Sequence, residues 1–76
     1  MNFTVIDPAP RAVKMVYLET DEVRFLVGEI SNDQSKGWKL HYSFGAGGLK
    51  PAAAEALKAF AAERIKLIQL TERLLA

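Results

Sequence analysis

Cysteine is absent from this 76-residue chain, so no disulfide framework, thiolate metal site or cysteine nucleophile is available to it. Histidine occurs once, at His41, and the acids stand singly apart from Asp21-Glu22, which leaves almost nothing for a metal centre. No charge of one sign dominates. Ten basic and nine acidic residues give +1, so the chain is marked neither as a polyanion binder nor as a DNA mimic. No apolar run approaches the length of a membrane span, and the opening MNFTVIDPAPR has no charged segment followed by an apolar one. The expectation is a cytoplasmic protein without a membrane partner.

What is present reads as globular: 50% of the residues are hydrophobic and 25% are charged. The length suits one domain over residues 1–76, and a domain so small buries a modest share of its surface. With disulfides and metals set aside, packing and self-association are the remaining sources of stability, so a homodimer is expected.

The strands are expected within residues 2–44. Asn2 to Asp7 is a run of β-formers stopped by Pro8 and Pro10, which suit a sheet edge. AVKMVYLET (12–20) and EVRFLVGEI (22–30) alternate, joined by a polar hairpin at Thr20-Asp21. SNDQSKG (31–37) reads as a loop. GWKLHYSF (37–44) then sets Trp38, Leu40, Tyr42 and Phe44 against Lys39, His41 and Ser43.

A helix is expected over about 51–75. Gly45, Gly47 and Gly48 break the strand, and Pro51 suits a first helical position because its missing N–H costs nothing there. At 100° per residue Ala53, Leu57, Phe60, Ala61, Leu67, Ile68 and Leu75 form one stripe, opposite Glu55, Lys58, Lys66, Gln69 and Arg73. The predicted fold is α+β, a four-stranded mainly antiparallel sheet packed on one long C-terminal helix.

Catalytic patterns are missing. GAGGLK (45–50) matches neither dinucleotide nor P-loop fingerprints, although bare amides beside Lys50 offer a place for an anion. Ser43 lies on the strand face of His41 but about 6–7 Å along it, too far for a direct hydrogen bond. Glu55, Glu63 and Glu72 do not converge. The chain is read as non-enzymatic, with no cofactor and no metal.

Three features exceed what a minimal sheet and helix require. If Tyr17, Phe25, Trp38 and Phe44 point to the helix, then Val16, Leu18, Leu26 and Ile30 point away among Lys14, Arg24, Lys39 and His41. An apolar patch rimmed by cations reads as an interface. A helix of this length runs about 37 Å, whereas strands of seven or eight residues reach about 25 Å, yet the overhanging turns carry Leu67, Ile68, Leu70, Leu74 and Leu75. Arg64 falls within the apolar stripe, where an arginine either snorkels or reaches a partner's acid.

The layout as a whole (NFTVIDP, two strands, GWKLHYSF and an alanine-rich helix from Pro51) resembles the small phage-encoded inhibitors of host machinery, the anti-CRISPR proteins among them. The resemblance implies a non-catalytic inhibitor that occludes a surface of a host protein complex. It carries over no individual residue. The partner-binding residues expected from the chain itself are Arg24, Leu26 and Lys39 on the sheet, and Arg64, Leu70 and Leu74 on the helix. The alternative is a single-stranded nucleic-acid binder using a basic open sheet face. Against it, Arg11, Lys14, Arg24, Lys36 and Lys39 in residues 1–48 meet Asp7, Glu19, Asp21, Glu22, Glu29 and Asp33.

Overall fold

The computed structural model describes residues 2–6, 13–33 and 35–75, Phe44 by its backbone alone. The expected end of the first strand at Asp7, with Pro8 and Pro10, and the facing of the Phe44 side chain lie outside the described residues. Four strands are followed by a helix: β1 (Asn2–Ile6), β2 (Val13–Glu19), β3 (Arg24–Asp33), β4 (Gly37–Tyr42) and α1 (Pro51–Leu75). The strands pair antiparallel in chain order, β1-β2-β3-β4, giving an open meander with α1 across one face.

Both turns between β2, β3 and β4 are fixed by short polar side chains. The Thr20 hydroxyl accepts from the Val23 amide at 3.1 Å, while the Thr20 amide donates to the Val23 carbonyl at 2.8 Å. This is the local side-chain-to-backbone bonding that favours threonine in turns. The second turn is tighter than a seven-residue loop, because β3 continues through Ser31, Asn32 and Asp33. Asp33 Oδ1 accepts from the Ser35 amide at 3.0 Å and the Ser35 hydroxyl at 2.8 Å. Gly37, at φ +79°, supplies the left-handed residue that brings the chain back into β4.

The core consists of Val16, Leu18, Val27 and Ile30 from the sheet against Leu57 and Ala61 from α1. Phe3, Val5, Trp38, Leu40, Phe60, Ile65 and Ile68 pack around it. Each of the fully buried side chains Val16, Val27, Ile30 and Leu57 contributes about 2 kcal/mol by leaving water.

This core reverses part of the expected facing. Val16, Leu18 and Ile30 point to the helix, and Lys14 goes with them, its Nζ 5.8 Å from the centre of the Trp38 ring. Tyr17 lies on the other face, paired with Thr4 and Leu26. The physical cause is a β-bulge in β3. Val16 pairs with Gly28 and Tyr17 with Leu26, so Val27 is an extra residue and the alternation changes phase there. Phe25 and Val27 before the bulge, and Gly28 and Ile30 after it, all fall on the helix side. Phe25 is nonetheless half exposed, because α1 does not cover that end of the sheet.

The strand expected over 37–44 stops at Tyr42, and a short 3-10 turn over Phe44–Gly48 leads towards α1. A Cβ on Gly45 would collide with the Leu26 carbonyl oxygen, so only glycine lets the chain cross β3 this closely.

Candidate protein-binding surfaces

Along α1 burial fades with distance from Pro51. Leu57 and Ala61 are 0% and 2% exposed, whereas Leu67, Leu70, Leu74 and Leu75 are 53%, 49%, 77% and 82% exposed. Helix formation here follows from a run of alanine, leucine, lysine and glutamate with no glycine or proline after Pro51. Leu67, Leu70 and Leu74 lie off the direction of Leu57 and Ala61, whereas Leu75 shares the direction of Leu57 and is still exposed. The molecule measures 39 × 21 × 18 Å, its long axis close to the length of a 25-residue helix.

Leu67, Leu70 and Leu74 are spaced by three and four residues and share one helix flank. Leu75 comes round to the core-facing stripe, but beyond the sheet. The last turns are not loose. The Trp38 indole N–H donates to Glu72 Oε1 at 3.0 Å, and Thr71 Oγ1 donates to the Leu67 carbonyl at 2.8 Å.

The charged neighbours of this flank are mainly cations. The Arg64 guanidinium lies 5.8 Å from the Phe60 ring centre, which is the snorkelling geometry, with its stem on apolar surface. Lys66 stands 3.5 Å from Glu63, both side chains 74% exposed, a pairing worth a few tenths of a kcal/mol at most. Arg73 makes no ion pair among the described residues.

The second candidate surface is the sheet face away from α1. Strand register puts Thr4, Tyr17 and Leu26 in one row, Ile6, Met15, Glu29 and His41 in the next, and Ser31 and Lys39 beyond. Arg24 Nε donates to Glu19 Oε2 at 3.0 Å, and its guanidinium lies 5.6 Å from the Tyr17 ring centre. Arg24 and Leu26 are therefore neighbours, and Lys39 is separated from them by the Met15–Glu29–His41 row. The six expected site residues fall into two groups on opposite sides of the sheet and do not form one site.

The sequence pattern puts Leu67 in the core stripe and turns Tyr17 towards the helix, whereas Leu67 is exposed and Tyr17 lies on the open sheet face beside Met15. The exposure of Leu67 follows from the helix angle. Ile65, not Leu67, packs on the core. The extra strand residue had a signal in Gly28, since a glycine inside a strand often marks a bulge or a close backbone approach. A Cβ at Gly28 would stand 2.8 Å from the His41 carbonyl oxygen.

Two other places hold potential chemistry. The Ser43 hydroxyl donates to the Leu26 carbonyl at 2.8 Å, so its proton is engaged away from His41. The glycine turn uses two of its amides internally, Ala46 N–H to the Ser43 carbonyl and Leu49 N–H to the Ala46 carbonyl. Among the described residues no three His, Cys, Asp or Glu side chains cluster as a metal site would need. Among them, too, no helix is long and apolar enough to cross a membrane.

Compared with known proteins, the chain matches no family model, no curated protein and no solved structure at a significant level.

Proposed function

We propose that the protein is a non-enzymatic binding module that acts by occupying a surface of another protein, in the manner of the small phage inhibitors of host machinery. The observation that carries this reading is the set of exposed leucines Leu67, Leu70 and Leu74 on a helix flank held in place by the sheet. Large apolar side chains that project in a row from an ordered helix are costly to leave in water and are the usual anchors of helix-mediated recognition. Arg64 borders the same flank, and burying its stem on a partner would add to the contact.

The nucleic-acid alternative has less support. The open sheet face sets Arg24 and Lys39 against Glu19 and Glu29, and Tyr17 lies beneath Arg24 rather than free to stack on a base. The two readings separate in one pair of measurements. Fluorescence anisotropy with labelled single- and double-stranded oligonucleotides is expected to show no binding at physiological salt. Co-purification from source cells is expected to recover a protein that Leu70→Asp loses and Arg24→Ala keeps. Micromolar oligonucleotide binding with a steep salt dependence would reverse the ranking.

A further inference from the structure

The leucine flank has a charge pattern as well as an apolar one. Leu67, Leu70 and Leu74 occupy alternating seam positions of a short heptad pattern, with spacings of three and four. In that frame Lys66 and Arg73 border the seam on one side and Arg64 on the other, three cations against the single carboxylate of Glu63, which stands in the seam one turn before Leu67 and 3.5 Å from Lys66. The helix half of the chain also holds the whole positive excess: Lys50, Lys58, Arg64, Lys66 and Arg73 against Glu55, Glu63 and Glu72.

Two copies of this helix fit one another poorly. Antiparallel pairing with Leu67 opposite Leu70 brings Lys66 beside Arg73 of the second copy, twice over by symmetry. Parallel pairing in register sets Glu63 against Glu63 inside the seam. Like charges facing across a helix pair are unfavourable in either case. The homodimer expected from chain length is thus opposed by the residues that would have to make it.

We infer that the occupant of the Leu67–Leu70–Leu74 flank is an amphipathic helix of a different protein, with acidic residues on both sides of its apolar seam. Its leucine-type side chains would interleave with Leu67, Leu70 and Leu74, and its carboxylates would meet Lys66 and Arg73 on one side and Arg64 on the other. This inference rests on the reading of the protein as a binding module and narrows it to one chemistry of partner.

The test uses synthetic amphipathic helical peptides with leucine at every seam position, differing only in the flanking residues: glutamate, glutamine or lysine. Fluorescence anisotropy of each labelled peptide is read against the full chain at low and physiological salt. The glutamate peptide is expected to bind about tenfold or more tighter than the glutamine peptide, with the difference shrinking as salt rises. Leu70→Asp is expected to abolish binding, and the double variant Lys66→Glu, Arg73→Glu to prefer the lysine peptide. Circular dichroism on both variants checks that the helix is retained.

Equal affinity for the glutamate and glutamine peptides would overturn the acidic partner and leave the docking flank standing. Failure of all three peptides to bind would sink both the partner and the flank. Sedimentation equilibrium that finds a dimer dissociated by Leu70→Asp would make a second copy the occupant and overturn the inference by another route.

Discussion

Leu57 and Leu70 are the same side chain on the same helix, yet one is sealed from water and the other is half in it. Periodicity accounts for part of the difference, because Leu70 lies well off the apolar stripe that carries Leu57. The sheet accounts for the rest: Leu75, eighteen residues on, points in the direction of Leu57 and is 82% exposed. Near Pro51 the helix has Val16, Val27 and Ile30 beneath it, and past Ile68 it has the edge of β4 and one hydrogen bond from Trp38. The first region is therefore where folding energy is concentrated, and the second is where large apolar side chains stay exposed. An amphipathic helix assigns its faces by what lies opposite, and here what lies opposite changes along its length.

The sharpest way to break this contrast is to truncate both leucines. Leu57→Ala is expected to cost about 2–5 kcal/mol, a large part of what so small a domain has, and Leu70→Ala within about 0.5 kcal/mol. Urea unfolding followed by circular dichroism reads both, and equal costs would erase the distinction. Next in size is the crossing into the helix. Gly45→Ala is expected to destabilise by about 1–3 kcal/mol because its Cβ meets the Leu26 carbonyl, whereas Gly47→Ala, with open space around it, is expected to be near neutral.

Trp38→Phe keeps the ring and removes the donor to Glu72. Stability is expected to fall by about 1 kcal/mol, with faster hydrogen exchange after Ile68 and unchanged exchange around Leu57. The smallest effect belongs to the β3–β4 turn. The Ser35 amide beside Asp33, then the Ser35 hydroxyl, hold its carboxyl below the usual carboxylate range. Its support is thus fully present above the unfolded value of about 3.9 and is lost as pH falls from there through the lowered folded value. Carboxyl NMR titration should place Asp33 below the ordinary aspartate value, and Asp33→Asn should remove that part of the acid sensitivity.

Much of the architecture was written in local pattern. Pro51 and the absence of later breakers set the helix, Thr20 set one turn, and alternation through Trp38, Leu40 and Tyr42 set the last strand. The faces were less legible for two physical reasons. Both rows of β2 are apolar, Met15 and Tyr17 on one side and Val16 and Leu18 on the other, so alternation locates the strand without choosing its inner face. That choice is made by pairing, which sets Phe3 and Val5 beside Leu18 and Val16 under the helix. The bulge at Val27 then shifts the phase of β3 midway, which no period-2 reading can follow. Of the surface residues, Leu70 and Leu74 were readable because they leave the helix stripe. Arg24, Leu26 and Lys39 share the open face as expected, but lie among Met15, Tyr17 and Glu29 rather than among Val16 and Ile30.

Trp38 has a consequence of an optical kind. It is the only tryptophan in the chain, half-buried at the edge where Lys14 lies over its ring and Glu72 accepts a hydrogen bond from its indole N–H. Its emission therefore comes from the boundary between the sealed part of the helix and the exposed part. Detachment of the last helical turns would wet the indole and move that emission to longer wavelength, and a helix laid along Leu67 and Leu70 would be registered there without any added dye. The protein carries its own reporter at the junction of its two regions.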